Sequence, residues 1–495
     1  MRCVAGIDNG TQSTKVLVYD FEGKSIVSVT NAPHELISRD DGTREQESAW
    51  WVEALTSCFS RIDPKIKQTI EAVGVSGQQH GFVPVDDQGE VLAPVKLWCD
   101  TSTVAQADEI TERFGGKERL LQEVGNLVLT GYTAPKILAF KQQHPEEYQK
   151  MRWVLLPHDY LNFFLTGTAW MEYGDASGTA LLNVKTKRWN KELISCIDDS
   201  LIDALPPLIE AHEIGGYVRK EAADHLGIPE GIPVSAGGGD NMMGAVGTGV
   251  ISEGKLAISL GTSGTMFGYS DKPIIDEGER LAAFCSSSGG WLPLLCTMNC
   301  TVATELYRAM MDMGVKEFDN IAAEANPGAD GVITIPFFNG ERTPNLPHGR
   351  GCMVGMTSQN TTKPNMNRSA LESAIYGLKM GLEAFEEHGF KAESTYLSGG
   401  GAKSPIWRQI TADILGIPVE LPSVEETAAF GGAVQSLWAL TCKEKGFVEI
   451  SEVFSQHAPP SDTAKIQPNQ EYYQIYEKRY EEYKSYVSAL TGLFS

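Results

Sequence analysis

Two stretches half a chain apart share one pattern: an apolar strand, a turn that contains Gly-Thr, and a second apolar strand. The first is AGIDNGTQSTKVLVYD at residues 5–20, and the second is KLAISLGTSGTMFGYSDK at residues 255–272. With Gly10 aligned to Gly261, the two stretches lie 251 positions apart in a chain of 495 residues. A repeat at half the chain length predicts two similar lobes whose paired turns face one cleft.

The length and the order of elements favour a two-domain α/β protein. Single hydrophobic cores stop growing beyond about 250–300 residues, so this chain is too long for one. Predicted strands such as IEAVGVSG alternate with predicted helices such as QESAWWVEALTSCFSRI, which is typical of the α/β class. We expect one domain over residues 1–246 and a second over residues 247–495.

Charge and cysteine usage exclude several classes of partner. The net charge of −23 argues against nucleic acid or an anionic membrane, because both require a basic surface. The nine cysteines are scattered without a CxxC pair or zinc-ligand spacing, which indicates reduced thiols in a reducing compartment. The sequence shows neither a signal-peptide pattern nor an apolar run of about 20 residues, so we expect a cytoplasmic protein.

The two Gly-Thr turns are candidates for phosphate binding. Backbone N–H groups and hydroxyls in a tight turn bind phosphate oxygens, and glycine allows close approach. One such turn is common in hairpins, whereas two at matching places of two lobes indicate a shared ligand. The repeats differ at one position, since Asp8 of the first corresponds to Ser259 of the second.

A third glycine-rich stretch is LSGGGAKSPIWRQITADILG at residues 397–416. It predicts a strand that ends in three glycines and is followed by a helix. This geometry admits a flat or anionic ligand against the helix N-terminus. The alternative is a close junction between strand and helix. Gly431-Gly432 lie inside a later helical pattern and indicate close approach of a helix or a ligand.

Polar residues with candidate chemical roles follow two predicted strands. In AGGGDNMMG, Asp240 is either an ordinary N-cap or a base at the hinge between the halves, and the two roles are compatible. In SGQQHG, Gln78, Gln79 and His80 are either structural or suited to reading a polyhydroxylated substrate. Trp98 and Asp100 of KLWCDTS are candidates to join them.

Taken together, these motifs resemble the FGGY carbohydrate kinases of the actin/Hsp70-like superfamily. The resemblance covers nearly the whole chain and is carried by GIDNGTQSTK, SGQQHG, YTAPK, LLPHDYL, GDASGT, GGGDNMMGAVG, SLGTSG, GERTP and SGGGAKSPIWRQ. It implies two actin-like (ribonuclease H-like) lobes with a catalytic cleft between them. It also implies ATP and Mg²⁺ as cofactors and suggests a homodimer.

The resemblance implies a role for each matching residue. Asp240 resembles the general base that takes a proton from the sugar hydroxyl, and Asp8 resembles the acid that organises Mg²⁺. The other implied contacts are Thr11, Gln12 and Lys15 for one side of the phosphates, Gly261 and Thr262 for the other, Gly400, Gly401 and Ser404 for the nucleoside, and Gln79, His80, Asp240 and Asn241 for the sugar.

Within the family, the motifs SGQQHG and GYTAPK are most similar to those of members that convert D-xylulose to D-xylulose 5-phosphate. The first alternative is a family member that acts on ribulose, another ketose or a polyol. A second alternative, from another class, is an actin/Hsp70-like ATPase with protein partners or a sugar-responsive regulator without turnover. Glu341-Arg342 of GERTP are either a salt bridge that braces the lobes or a ligand contact.

Overall fold

A computed structural model describes residues 1–460 and 464–494. The strands are β1 Cys3–Asn9, β2 Ser13–Asp20, β3 Ser25–Pro33, β4 Ile37–Ser38, β5 Arg44–Gln46, β6 Ile70–Gly77, β7 Val83–Asp86, β8 Val95–Lys96, β9 Met151–Leu155, β10 Met171–Glu172, β11 Leu182–Asn183, β12 Arg188–Trp189, β13 Leu208–Ile209, β14 Ile214–Tyr217, β15 Pro233–Ser235, β16 Gly238–Gly239, β17 Lys255–Leu260, β18 Gly264–Gly268, β19 Leu294–Thr297, β20 Ile333–Pro336, β21 Gly351–Val354, β22 Ser394–Ser398 and β23 Val419–Glu420.

The α-helices are α1 Ser48–Ser60, α2 Pro64–Lys67, α3 Val104–Phe114, α4 Lys117–Glu123, α5 Thr133–Gln143, α6 Pro145–Lys150, α7 Pro157–Thr166, α8 Tyr173–Ala176, α9 Lys191–Ser195, α10 Lys220–Leu226, α11 Asp240–Thr248, α12 Thr301–Met310, α13 Val315–Ala323, α14 Lys363–Glu387, α15 Pro405–Leu415, α16 Thr427–Lys445, α17 Ile450–His457 and α18 Gln470–Thr491. Short 3₁₀ turns lie at Ser177–Thr179, Asp199–Ala204, Ala329–Gly331 and Gly400–Lys403. No helix among the described residues is long and apolar enough to cross a membrane.

Two sheets with the same local topology form the centres of two lobes. In the first, the strand order is β14-β15-β6-β1-β2-β3, and β16 also pairs with β6. In the second, the order is β19-β18-β17-β22-β23. Each sheet has an antiparallel three-strand meander, β1-β2-β3 or β17-β18-β19, whose first strand pairs in parallel with a later strand, β6 or β22. The predicted α/β fold of two similar lobes is confirmed.

The two Gly-Thr hairpins are similar but not identical in register. In the first, Gly10 N–H donates to Ser13 O at 3.0 Å, whereas in the second Gly261 N–H donates to Ser263 O at 3.2 Å. The second turn is therefore one residue shorter. As a result Asp8 pairs with Lys15 across the first hairpin, whereas Ser259 pairs with Thr265 across the second.

Helix α16, from the second half of the chain, packs against the first sheet and α11. The contact is so close that only glycine fits at several points. A Cβ added to Gly6 would lie 1.7 Å from the carbonyl oxygen of Ala429, and one added to Gly74 would lie 2.0 Å from that of Gly432. A Cβ on Gly431 would lie 1.9 Å from the carbonyl oxygen of Met243. The glycines of α16 thus serve helix packing, one of the two predicted explanations.

Candidate active site

The first Gly-Thr turn, the SGQQHG loop and the AGGGDNMMG stretch all lie at the same edge of the first sheet. Strands β1, β6 and β16 are parallel neighbours, with Asp8 paired to Ser76 and Ser76 paired to Gly238. Because the carboxyl ends of parallel strands meet at one edge, the first Gly-Thr turn, the SGQQHG loop and Asp240 all emerge together. Ser76 Oγ donates to Asp8 Oδ1 at 2.9 Å and fixes that carboxylate at the edge.

The second sheet repeats this arrangement. Strands β17 and β22 are parallel, and Ser259 pairs with Ser398 near their carboxyl ends. The second Gly-Thr turn and the glycines that follow β22 therefore leave the same edge of the second sheet. Two edges, one from each lobe, carry the candidate residues of the cleft.

Asp240 is the first residue of α11, and Gly239 is its N-cap, so the N-cap interpretation of Asp240 does not apply. Asn241 N–H donates to Asp240 Oδ1 at 2.8 Å. Burial raises the pKa of Asp240 to about 7, and the negative charges of Asp8 and Asp175 add to this effect. A carboxyl group with such a pKa can accept a proton near neutral pH.

The first Gly-Thr turn is held by side chains from several elements. Trp98 Nε1–H donates to Thr11 Oγ1 at 3.0 Å, and Gln46 Nε2–H donates to Thr11 O at 2.8 Å. Gln12 is exposed at the tip of the turn. Lys15 forms an ion pair with Glu426 at the start of α16, so the structure connects this residue to the second half of the chain.

The second Gly-Thr turn is held by backbone hydrogen bonds. The carbonyls of Gly261 and Thr262 accept the N–H groups of Thr301 and Cys300 at 3.0 and 2.9 Å, which attaches this turn to α12.

Ser404 is the N-cap of α15 and accepts Trp407 N–H at 3.3 Å. A Cβ on Gly401 would lie 2.7 Å from Leu260 Cβ, which is a close junction. A Cβ on Gly400 would meet nothing within 4 Å, since this glycine is exposed at the surface.

The structure brings the predicted sugar-site residues Gln79, Asn241 and Asp240 into one hydrogen-bonded group. Asn241 Nδ2–H donates to Gln79 Oε1 at 2.8 Å and to Asp240 Oδ1 at 3.1 Å. Gln78, by contrast, is fully buried and donates from Nε2 to Gln46 Oε1 at 2.9 Å. Gln78 is therefore a structural residue of the loop.

His80 lies beside this group in a left-handed backbone conformation, with φ of 65°. Its ring centroid is 4.6 Å from that of Tyr132 and 5.6 Å from that of Phe284. Burial lowers the pKa of His80 well below its usual value, and the charges of Lys136 and Arg342 act in the same direction. The imidazole is consequently neutral and suited to hydrogen bonding with hydroxyl groups.

Trp98 and Asp100 have different surroundings. The Trp98 side chain is 40% exposed beside the first turn. Asp100 is fully buried, and both of its oxygens are in use. Ser102 donates to Oδ1 through N–H at 3.0 Å and Oγ–H at 2.6 Å, while Arg44 N–H and Lys96 Nζ donate to Oδ2 at 2.8 and 3.2 Å. These contacts make Asp100 a loop-fixing residue, and its contact with a sugar stays a prediction.

Lys136 is a buried residue of the site that sequence reasoning missed. Its Nζ donates to His80 O at 2.7 Å and to Gly131 O at 2.8 Å. Burial lowers the pKa of Lys136 to about 7. The YTAPK motif contains this lysine, and the apolar stretch that follows it in α5 was the available signal for its burial.

Glu341 and Arg342 do not form a salt bridge with each other among the described residues. Glu341 accepts the N–H groups of Met298 at 2.6 Å and Arg342 at 2.8 Å, and Asn299 Nδ2–H at 3.1 Å. The Arg342 guanidinium instead lies close enough to His80 to lower its pKa. Glu341 therefore holds its own loop, and the charge of Arg342 acts on His80.

Comparisons with known proteins agree with this geometry. The family model "FGGY family of carbohydrate kinases, N-terminal domain" matches residues 3–247, and its C-terminal counterpart matches residues 256–440. A xylulose kinase from Haemophilus influenzae is 39% identical, with 98% of this chain and 99% of that protein covered. A xylulose kinase from Bacillus subtilis is 33% identical, with 98% and 96% covered.

Among solved structures, that of a xyloylose kinase from Brucella ovis superposes with a TM-score of 0.91 at 28% identity, covering 99% of this chain and 100% of the other. The two lobes share one local topology, each has a Gly-Thr turn at the carboxyl edge of its sheet, and Asp8 and Asp240 lie at the edge of the first; this arrangement fits the class of phosphotransferases. Within that class, the chain belongs to the FGGY family of carbohydrate kinases. It is therefore a sugar kinase, as the sequence motifs predicted.

Proposed function

We propose that this enzyme transfers the γ-phosphoryl group of ATP to D-xylulose and forms D-xylulose 5-phosphate. The xylulose kinases from Haemophilus influenzae and Bacillus subtilis, which align over almost the whole chain, support this substrate. The observation that carries the chemistry is the group of Asp240, Asn241 and Gln79 at the edge of the first sheet. It joins a carboxylate base directly to amides that suit a polyhydroxylated substrate.

Asp240 is the general base in this proposal. The acceptor alcohol has a far higher pKa than any carboxylate, so the proton moves to Asp240 late, as the bond to phosphorus forms. Gln79, His80, Asn241 and Trp98 hold the sugar so that its hydroxyl is in line with the γ-phosphorus. Asp100 supports the loop that carries Trp98. Closure of the lobes excludes water and limits hydrolysis of ATP.

The phosphates and the nucleoside lie toward the two Gly-Thr turns. Thr11, Gln12 and Lys15 contact the phosphates from the first lobe, while Gly261 and Thr262 contact them from the second. Gly400, Gly401 and Ser404 form the nucleoside side, where Gly400 is exposed. Binding of the phosphates requires Lys15 to exchange its ion pair with Glu426 for phosphate oxygens.

The residues fit a magnesium ion held at Asp8. Burial raises the pKa of Asp8, and its charge also raises that of Asp240, so a cation relieves their repulsion. No cluster of three or more metal-binding side chains occurs in the described part of the chain. One or two carboxylates commonly bind Mg²⁺ together with substrate phosphates and waters, and Asp8 supplies one such carboxylate. When bound, the ion offsets charge that develops on the phosphate oxygens.

The remaining assignments are also proposals. Residues 1–246 form the domain with the sugar residues, the first turn and Asp8, and residues 247–495 form the domain with the second turn and the nucleoside pocket. The partners are the sugar and ATP, without nucleic acid or membrane, and the enzyme is a homodimer. We place it in the cytoplasm, where ATP is available.

A coupled assay of ADP release over pentuloses, hexuloses and polyols tests the proposed substrate. We expect the highest kcat/KM with D-xylulose and detection of D-xylulose 5-phosphate as product. A higher kcat/KM with ribulose or another sugar would show that this enzyme acts on that sugar instead of D-xylulose. ADP release without sugar, and without a phosphorylated product, would support the ATPase alternative.

The variant Asp240→Asn tests the proposed base within the same assay. We expect kcat to fall by about 10²-fold or more, as is typical for loss of a general base. Asp224→Asn, which changes an exposed aspartate that pairs with Lys220, is the matched control and should keep wild-type turnover. Wild-type turnover of Asp240→Asn would exclude this residue as the base.

A further inference from the structure

A run of polar side chains leads from α7 to Asp240, and its first members, His158 and Asp175, have no assigned role in sugar binding above. It begins at His158, which is fully buried between two carboxylates. Its Nε2 lies 2.9 Å from Asp159 Oδ1, and its Nδ1 lies 2.9 Å from Asp175 Oδ2. Burial opposes a charge on His158, yet the two carboxylates raise its pKa well above the usual value. The contact between His158 Nδ1 and Asp175 Oδ2 is a hydrogen bond and fixes Asp175, whereas His158 Nε2 and Asp159 Oδ1 form no hydrogen bond among the described residues.

The second oxygen of Asp175 faces Gln79. Asp175 Oδ1 and Gln79 Nε2 are both buried, and neither has a hydrogen-bond partner among the described residues. The two side chains meet at Gly239, where a Cβ would lie 3.0 Å from Asp175 Oδ1 and 2.6 Å from Gln79 Cγ. Burial raises the pKa of Asp175, and the hydrogen bond with His158 opposes this rise.

As the hydrogen-bond partner of His158 through Oδ2, Asp175 offers Oδ1 as an acceptor, and an acceptor favours the NH₂ end of the Gln79 amide. Gln79 Nε2 then lies on the Asp175 side, and Gln79 Oε1 accepts Asn241 Nδ2–H at 2.8 Å. The same Nδ2 group also donates to Asp240 Oδ1 at 3.1 Å. With both donors of Asn241 in use, its Oδ1 is the remaining polar atom of that side chain.

We propose that Asp175, held by His158, is a positioning residue that sets the orientation of the Gln79 and Asn241 amides and thereby the specificity of the sugar site. Asn241 then presents an acceptor oxygen beside the base. The site requires a hydroxyl donor next to the hydroxyl that is phosphorylated, and it rejects a carbonyl or a deoxy position there. This inference rests on the proposed function, and its tests use whichever sugar the wild-type enzyme phosphorylates.

The variant Asp175→Asn tests the orienting role. The amide that this substitution introduces keeps an oxygen for His158 and turns its NH₂ group toward Gln79 Nε2, so that two donors face each other. The amides of Gln79 and Asn241 must then reverse or lose their partners. We expect the KM for sugar to rise about tenfold or more, as is typical when buried donors lose partners, with the KM for ATP unchanged.

The double variant Asp175→Asn/Gln79→Glu tests the same contact by rescue. It exchanges the carboxylate and the amide across the contact, so that the new carboxylate accepts both from the new amide and from Asn241. Gln79→Glu alone places two carboxylates face to face and should also raise the KM for sugar. We expect the double variant to return the KM to within about threefold of wild type, a coupling that independent sites do not show.

Asp413→Asn is the control for loss of a buried carboxylate away from this segment. Asp413 of α15 is almost fully buried and accepts Asn469 N–H at 2.7 Å and Gln409 Nε2–H at 2.8 Å, and it has no contact with the run to Asp240 among the described residues. We expect its KM for sugar to stay within about threefold of wild type. An unchanged KM in Asp175→Asn, or no rescue by Gln79→Glu, would overturn the proposal.

A measurement on the wild-type enzyme makes the test independent of variant folding. In the analogue of D-xylulose with fluorine at C4, the neighbouring hydroxyl donor is replaced by an atom that cannot donate. We expect this analogue to lose kcat/KM as strongly as the C4-deoxy analogue, since Asn241 Oδ1 needs a donor. Retained kcat/KM with fluorine would contradict the proposal, whereas failure of D-xylulose itself would refute only the proposed substrate.

Discussion

Asp240 lies close to two other carboxylates, those of Asp8 and Asp175, of which Asp175 is fully buried while Asp8 and Asp240 are partly exposed. Ionised carboxylates at short range repel one another, so ionisation of one raises the pKa of its neighbours. Before a cation binds, this repulsion raises the pKa of Asp240. It also favours binding of a cation at Asp8. A bound cation then offsets the charge of Asp8, so that Asp240 is more readily ionised and ready to accept a proton.

The raised pKa of Asp240 predicts the acid limb of the pH profile. Only the ionised form accepts a proton, and a group with a pKa of about 7 becomes protonated as the pH falls below that value. We expect kcat/KM for the sugar to fall about tenfold for each pH unit well below 7, since kcat/KM reports groups of the free enzyme. A profile that stays flat from pH 8 to pH 5 would contradict this assignment.

Individual residues of the site were predictable to different degrees. The family motifs implied the group of Asp240, Asn241 and Gln79, and the parallel strands bring their segments to one sheet edge. Asp100 and Lys136 were not predictable in this detail. Burial of a charged side chain depends on which loops cover it, and those loops come from distant parts of the sequence.

Helix α16 was predictable as a helix, but the element it packs against was not. The pattern EETAAFGGAVQSLWA predicts a helix, and its glycines indicate close approach of a partner. The identity of that partner, strands β1 and β6 near the start of the chain, leaves no local signal. In contrast, α18 buries Tyr476, Tyr480, Tyr483 and Val487, a stripe that helical spacing alone predicts.

The close contact of α16 with β1 predicts that Gly6→Ala strongly destabilises the fold. Its Cβ would lie 1.7 Å from the backbone oxygen of Ala429, and no rotamer change can relieve a clash with backbone. Overpacking of this kind costs about 1–3 kcal/mol and sometimes more. We expect a fall of about 3 kcal/mol or more in the free energy of unfolding, measured by urea denaturation.

Gly314→Ala is the matched control for this substitution. A Cβ at Gly314 meets nothing within 4 Å, and its φ of −72° is allowed for alanine. We expect its urea midpoint to stay near that of the wild type. Equal stability of Gly6→Ala and Gly314→Ala would show that the sheet and α16 can separate without cost.

Across the whole molecule, one hydrophobic core joins the two ends of the chain. Val4, Leu17 and Tyr19 of the first hairpin pack with residues of α16 such as Phe430 and Trp438. The ring centroids of Tyr19 and Phe430 are 5.1 Å apart in an edge-to-face arrangement. The first sheet therefore depends for its stability on a helix that is encoded far beyond residue 246.

This shared core predicts the behaviour of fragments. A fragment of residues 1–246 leaves the face of β1 and β2 that α16 covers exposed to water. We expect this fragment to be insoluble or to lack a cooperative thermal transition by circular dichroism. The same fragment joined through a flexible linker to residues 424–457 should regain the transition. Cooperative unfolding of residues 1–246 alone would contradict the prediction.

The position of α16 also has a consequence for synthesis. Strands β1 and β2 leave the ribosome first, but the helix that covers their apolar face is translated only after residue 426. At a translation rate of about 5–20 residues per second, this apolar face of the nascent first lobe stays uncovered for some tens of seconds. The growing chain is thus a natural client for chaperones, and its first lobe reaches its final packing only near the end of translation.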